Sequence, residues 1–274
     1  FKKKFLFFIY NIIFFLCPKS LLKSKKFPKR ILLSIWYNSK IITCPHCGLS
    51  SLDKLPSNKN LNLWYNTIGN TTSVNQSSDS FTERTISQFK YLKKNIDLSQ
   101  VRSCLEFGAG NGELSQLLKI KYSIETTAID ISEQSIKYLK RNNLIDHVEK
   151  IFPKNITYDI IICSHILHLV DNFPQIINKI ENALSSTGYF FIESPNINSE
   201  YFHLDGQDTP YLWFINKKVV DYISKRKNNN IIDFSFFGPK WKDYISKGIK
   251  HEKPTQLEDS IIFRTILGIS NINY

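Results

Sequence analysis

At 274 residues and 42% hydrophobic content the chain can bury a full core, and its five scattered cysteines exclude a disulfide framework and point to a reducing compartment. The formal net charge of +12 sits at one end: residues 1–40 hold ten of the 36 Lys and Arg, and beyond them 26 basic residues face 24 acidic ones. An enzyme gripping a nucleic acid backbone carries its basic surface around the site, so no nucleic-acid partner is expected.

The basic end runs Phe1-Lys2-Lys3-Lys4, an apolar stretch from Phe5 to Leu16, and a second basic segment from Lys19 to Arg30. Twelve residues are too few to span a bilayer, which takes about 20. A basic start and a short apolar run also fit a secretory signal, but no small-residue cleavage site follows. An interfacial helix, held by apolar burial and anionic headgroups, suits the pattern better. The alternative is an ordinary N-terminal helix packed on the domain. Residues 1–40 are therefore expected as a helical, partly basic appendage in peripheral contact with an anionic membrane.

Residues 41–80 are expected as a cysteine-containing turn and a polar linker. Cys44-Pro45-His46-Cys47-Gly48 has the look of half a zinc knuckle, since thiolates two residues apart can take two corners of a tetrahedron. No second C-x-x-C supplies the other corners, so no metal ligands are assigned. Asn66 to Ser80 is rich in Thr, Ser and Asn and reads as linker. A catalytic domain over 81–274 then opens with a helix from Phe81 to Asn95. Its apolar positions Ile86, Phe89, Tyr91, Leu92 and Ile96 keep helical spacing only roughly.

From there strands and helices alternate. Strands are expected at Val101–Phe107, Ile124–Ile129, Tyr158–Cys163, Tyr189–Glu193, Ile231–Phe237 and Ser260–Leu267. Helices are expected at Glu113–Ile120, Ser132–Asn142, Asn172–Leu184 and Asn216–Lys225, with a turn over Ser185–Gly188. The third strand is the weak one, because only His147–Phe152 is available and Pro153 cuts it short. This alternation predicts a doubly wound, seven-stranded, mostly parallel α/β sheet.

The chemistry is carried by Glu106-Phe107-Gly108-Ala109-Gly110-Asn111-Gly112, between the first strand and its helix. Glycines at every second position let the backbone take φ > 0 and come close to a ligand, with a helix N-terminus pointing into the same space. A dinucleotide fingerprint needs G-x-G-x-x-G, and a glutamate beside a pyrophosphate would repel it. The stretch closely resembles the first motif of class I S-adenosylmethionine-dependent methyltransferases, whose cofactor is cationic and free of phosphate. Ala128-Ile129-Asp130-Ile131-Ser132 resembles the second motif. There Asp130 would accept both ribose hydroxyls and Ile131 would pack on the adenine.

The resemblance implies a Rossmann-like methyltransferase with S-adenosyl-L-methionine as cofactor. Its cofactor residues would be Glu106, Gly108, Ala109, Gly110, Asn111, Gly112, Asp130, Ile131 and Ser164. Asp146 and Glu149 are candidates near the adenine amino group. The segment Ser164-His165-Ile166-Leu167-His168-Leu169-Val170 resembles the stretch after the family's fourth strand, in which some relatives bind a metal through two glutamates and a histidine. His165, His168 and Leu169 stand there instead, so no metal is assigned. His165 emerges where an acceptor must lie and suits a general base. Glu193-Ser194-Pro195-Asn196 and Pro210-Tyr211-Leu212-Trp213-Phe214 resemble segments that shape the acceptor pocket. The expected function is methyl transfer to a small-molecule or lipid-linked, glycosyl-type acceptor in the cytoplasm, at the inner face of the membrane. A non-catalytic binder of the same cofactor is the rival, and a nicotinamide-dependent oxidoreductase a more distant one.

Overall fold

The computed structural model describes residues 41–53, 55, 81–143, 145–196, 211–226, 229–240, 254–255 and 260–268. The expected membrane-interfacial appendage over 1–40 and the linker over 66–80 lie outside these residues, as does Pro210. No described helix is long and apolar enough to cross a membrane.

The main sheet has the order β10-β9-β11-β7-β6-β3-β4-β5. Its parallel strands are β3 (Ser103–Phe107), β4 (Glu125–Ile129), β5 (His147–Glu149) at the edge, β6 (Tyr158–Ser164) and β7 (Leu184–Pro195). β11 (Ser260–Gly268) inserts antiparallel between β7 and β9 (Asn230–Lys240). The seven expected strands are all present, and the two-residue β10 (Pro254–Thr255) extends the β9 edge. β5 stops at Glu149, short of the expected Phe152. The expected turn over Ser185–Gly188 is instead continuous strand, because β7 starts directly at Leu184.

Helices cover both faces, as a doubly wound sheet requires. Helices α1 (Glu83–Asn95), α2 (Glu113–Tyr122) and α3 (Glu133–Asn142) pack on one side. There Leu92, Cys104, Leu114, Leu118, Ile160, Ile162 and Phe191 are buried together. Helices α4 (Phe173–Ala183) and α5 (Lys217–Arg226) cover the other, over Leu105, Ile161, Cys163, Ile180 and Val220. Ile160 to Cys163 are each fully buried, which is why β6 reads as an unbroken apolar run rather than an alternation.

The weak periodicity of α1 has a physical cause. Its buried positions include Thr85 and Gln88 as well as Tyr91 and Leu92, while Ile86 is exposed. The sheet face beneath it is apolar lower down (Cys104, Ile160, Phe191, Ile266) and polar in the next row, Ser164, Glu193 and Arg264. The carboxyl half of α1 meets the apolar row, and its amino half meets the polar row. A polar helix face that is nevertheless buried is invisible to a hydrophobicity pattern.

Residues 41–53, expected only as a turn, form a β-hairpin. β1 (Ile41–Thr43) pairs with β2 (Ser50–Leu52), and β2 pairs with β8 (Trp213–Phe214) to make a second, three-stranded sheet.

Candidate functional site

The glycine loop joins β3 to α2 at the carboxyl end of the sheet. Gly108, Gly110 and Gly112 have φ of 72°, 58° and 66°. A side chain on Gly108 would also meet Ile166 Cγ1 at 2.4 Å, so both backbone and space exclude one. The N–H groups of Gly108 and Ala109 donate to the Ile129 carbonyl at 2.8 and 3.1 Å, stitching the loop to the end of β4. Gly112 caps α2 without any side-chain hydrogen bond.

Asp130 stands one residue past β4 and turns back on this loop. Its Oδ2 accepts the Gly110 N–H at 2.8 Å and its Oδ1 accepts the Ser132 N–H at 2.8 Å. Burial lifts its carboxyl above the ordinary value, against the pull of the backbone donors Ser132, Gly110 and Ile131. Each oxygen keeps a second lone pair, so the carboxylate can still accept a pair of hydroxyls. Asp130 does not cap α3, because Ser132 does so through Ser135 N. Ile131 beside it is 54% exposed, an apolar surface set next to the carboxylate. These residues fit the ribose and adenine of the implied cofactor.

Glu106 lies beneath the loop rather than in it. Its Oε2 accepts Ser115 Oγ at 2.6 Å and Ser115 N at 3.2 Å in the first turn of α2. Burial pushes its carboxyl up to about 7, only partly offset by the Ser115 bonds. The Asn111 side chain donates to Glu113 Oε1 at 2.7 Å. Glu113 Oε2 in turn takes the hydroxyls of Thr82 (2.7 Å) and Thr85 (2.6 Å), which moors the start of α1 to the start of α2. Burial raises the Glu113 carboxyl, but these bonds outweigh it and hold the group below its ordinary value.

A second cluster at this end of the sheet is built on Glu193, near the end of β7 and almost fully buried. Its direct cross-strand partner is Arg264 of β11, whose Nε donates to Oε2. The Arg264 guanidinium lies 4.1 Å above the Phe237 ring and bonds Ser87 at 2.7 Å. Glu193 Oε1 takes Arg84 Nε at 2.9 Å and Gln88 Nε2 at 2.8 Å, both from α1. Ser164 Oγ accepts from Arg84 (2.7 Å) and Gln88 (2.8 Å) and reaches Glu193 at 3.3 Å. Burial alone would raise the Glu193 carboxyl, but Arg84, His165 and Arg264 outweigh it and hold it well below the carboxylate range.

His165 follows β6 with φ 52°, and its N–H donates to the Glu193 carbonyl at 2.8 Å. Its Nε2 lies 3.1 Å from Glu193 Oε1 without hydrogen-bond alignment, and a quarter of its side chain is exposed. Burial, then Arg84, lower its pKa, so the ring is neutral at pH 7. His168 is buried against His165 and Tyr211, with ring centroids 6.0 and 4.8 Å away, and its Nδ1 has no hydrogen-bond partner among the described residues. Burial, with His165 and Arg84 adding to it, holds it well below the ordinary value.

The structure thus brings the glycine loop, Asp130, Ile131, Ser164 and His165 to one end of the sheet. It removes Asp146, which bonds Thr126 at the start of β4, the opposite end, and Lys119 of α2. Glu149 stays on the site's side, its carbonyl accepting the Asp130 N–H at 3.2 Å. Trp213 is structural: its Nε1 donates to the Val170 carbonyl at 2.6 Å and its ring packs on Phe173. Cys44 and Cys47 are half-exposed in the β1–β2 turn, away from this cluster. The sequence reading missed Arg84, Gln88 and Arg264. Arg264 had a signal, a lone charge inside the apolar run Ile261-Ile262-Phe263-Arg264-Thr265-Ile266-Leu267. A charge there has to be paired.

The chain matches the family model described as a methyltransferase domain over residues 81–232, more than half its length. No curated protein sequence matches it. Among solved structures it is similar to a SAM-dependent methyltransferase from Thermotoga maritima. That likeness has 14% identity and a TM-score of 0.50, over 67% of this chain and 88% of that one. The N-methyltransferase NodS from Bradyrhizobium japonicum WM9, solved with S-adenosyl-L-homocysteine, aligns at 13% identity and a TM-score of 0.49, over 74% and 97%. A S-adenosylmethionine-dependent methyltransferase from Clostridium acetobutylicum aligns at 13% and 0.48, over 69% and 93%. At its identity the likeness to the Thermotoga maritima protein is one of fold alone.

Proposed function

The chain belongs to the methyltransferase domain family, and from that premise we propose that it methylates a small-molecule or lipid-linked acceptor, with S-adenosylmethionine as donor. The observation that carries the reading is the meeting of two unlike surfaces at one sheet end. One is a phosphate-free nucleoside cradle of Gly108, Gly110, Asp130 and Ile131. The other is the neutral His165 beside an ionised Glu193.

When bound, S-adenosylmethionine supplies an electrophilic methyl on a sulfonium. The chain's share is placement and proton removal. Asp130 would take the ribose hydroxyls, and Ile131 would lie against the adenine. Holding two reactants in line is worth about 7–11 kcal/mol of the barrier. His165, kept neutral by burial, accepts the acceptor's proton; with Nε2 turned toward Glu193, Nδ1 is the nitrogen left for it. Glu193 then steadies the imidazolium.

The lipid-linked form of the acceptor, a glycosyl intermediate first, and a cytoplasmic site at an anionic membrane rest on residues 1–40 alone. Phe5 to Leu16 offer apolar burial and the flanking lysines meet headgroups. The test is transfer of labelled methyl from S-adenosylmethionine to an organic-extractable fraction against an aqueous one. Label in the lipid fraction supports the finer reading, and label only in the aqueous fraction leaves a free small molecule. Binding of the cofactor with no transfer to either would make the protein a binder without turnover. Tighter binding of a nicotinamide dinucleotide would overturn the reading.

A further inference from the structure

Glu113 opens α2, where a first-turn acid would ordinarily do no more than complement the helix N-terminus. Its carboxylate is spent elsewhere. The amino end of α2 is met from below by Glu106, which takes the Ser115 N–H, and Gly112 gives no side-chain cap. Glu113 Oε2 accepts the Thr82 N–H at 3.1 Å and the hydroxyls of Thr82 and Thr85 at 2.7 and 2.6 Å, all at the start of α1. Its Oε1 takes the Asn111 side chain at 2.7 Å, and the Asn111 carbonyl accepts Gln116 Nε2 at 2.7 Å. One carboxylate therefore ties the middle of the glycine loop to a second helix.

The seat of that helix decides what reaches Glu193. Thr82 is the N-cap of α1, its side chain accepting the Thr85 N–H. A helix held at its cap has its next turn placed with it. Arg84 and Gln88 lie four residues apart on one face and both end on Glu193 Oε1 and Ser164 Oγ. The groups facing His165 are Arg84 of α1, Glu193 of β7, Arg264 of β11 and the ring of His168. Glu193 and Arg264 are fixed by strand register, whereas Arg84 is placed by the seat of α1.

We propose that Glu113 is a positioning residue that links the cofactor loop to the Glu193 cluster, seating α1 so that Arg84 and Gln88 hold the Glu193 carboxylate beside His165. Its consequence for turnover rests on the methyl-transfer reading, whereas the link itself is a property of the fold. With α1 unseated, Glu193 Oε1 loses two donors and His165 loses the cation beside it. Both changes let the imidazole bind a proton more readily, and a base protonated over a wider pH range serves the acceptor less well. The link also runs in the other direction. A ligand that orders Gly110 to Gly112 firms Asn111 and, through Glu113, the start of α1.

The experiment follows the His165 imidazole of the full chain by NMR across pH, with the signal assigned by its loss in His165→Ala. In Glu113→Ala the His165 midpoint should rise from its lowered value toward the ordinary 6.5. Turnover at saturating S-adenosylmethionine should fall about 10²-fold, mostly in kcat. Glu113→Gln keeps an oxygen for the two threonine hydroxyls, and the Asn111 amide can turn over to accept from its NH₂, so this variant should retain the unaltered midpoint. Thr85→Val cuts the link from the α1 side, at a buried position and without a change of shape, and should move the midpoint as Glu113→Ala does. In a second arm, S-adenosyl-L-homocysteine should slow hydrogen exchange in the first turns of α1 in the unaltered chain and not in Glu113→Ala. A midpoint unmoved in both Glu113→Ala and Thr85→Val, one that moves as far in Glu113→Gln, or α1 exchange indifferent to bound S-adenosyl-L-homocysteine would overturn the link. A chain that binds neither S-adenosylmethionine nor its demethylated product would sink the methyl-transfer reading alone, because the midpoints are compared in the unliganded protein and still decide the link.

Discussion

The proposed cofactor half and the proposed acceptor half of the site share one sheet end but are made differently. The cofactor half is local and largely backbone: Gly108 to Gly112 and Asp130 lie within 23 residues and bond one another through main-chain N–H groups. The acceptor half is assembled from side chains far apart in sequence. Arg84 and Gln88 come from α1, Ser164 ends β6 and His165 follows it, Glu193 lies on β7 and Arg264 on β11. The first kind of site is preorganised by its own turn. The second exists only once α1 and three strands have docked, so function and stability are tied together there.

That contrast can be broken by substitution. The largest effect is expected for Glu193→Ala, which leaves the fully buried Arg264 without its carboxylate and should cost about 3–5 kcal/mol in a denaturant titration. Asp130→Ala, which removes hydrogen bonds to two loop N–H groups but strands no buried charge, should shift that titration less. If both variants unfold alike, the two halves are not distinct.

His165→Ala sharpens the chemistry of the acceptor half. Turnover at saturating cofactor should fall about 10²-fold or more, with cofactor affinity unchanged. Because burial and Arg84 lower its pKa, the wild-type rate should persist below the ordinary histidine value of 6.5 and fall only as pH drops through the lowered one. A rate that halves near pH 6.5 would place His165 in an ordinary solvated environment.

A smaller change is expected in the cofactor half. Removing one charged acceptor by Asp130→Ala should weaken S-adenosylmethionine about 10- to 100-fold by calorimetry, corresponding to about 1.5–3 kcal/mol. Unchanged affinity would take Asp130 out of the site.

Glu106 links that half to pH. Its folded pKa of about 7 lies above the ordinary 4.5, so the folded, unliganded protein binds the extra proton between those values. Its contribution to stability is therefore lost as pH rises from 4.5 through 7. A cationic ligand over the loop favours the carboxylate, so binding near pH 7 should release up to one proton. Calorimetry in buffers of different ionisation enthalpy would read this, and Glu106→Gln should abolish it.

Outside both halves, the basic end sets the mildest test. The full chain should sediment with anionic vesicles, and less so as salt rises, whereas a chain beginning near Ser39 should stay in solution and still bind cofactor. Equal partitioning would remove the membrane contact.

The sequence by itself determined the alternation of strands and helices, the seven main strands and the glycine loop with Asp130. Each of these depends on residues close in the chain, through hydrophobic period, turn chemistry and the spacing of glycines that must take φ > 0. It left other things to the tertiary structure. The polar row of Ser164, Glu193 and Arg264 becomes a row only through strand register, and its partners Arg84, Ser87 and Gln88 only through the docking of α1. Asp146 and Glu149 are three residues apart at a strand only three residues long, so its direction alone sends one to the wrong end of the sheet and keeps the other at the site. The pairing of the Cys44–Cys47 hairpin with Trp213 and Phe214 was hidden for the same reason. Cross-strand hydrogen bonds join backbone groups, and backbone groups carry no mark of their partner in the sequence.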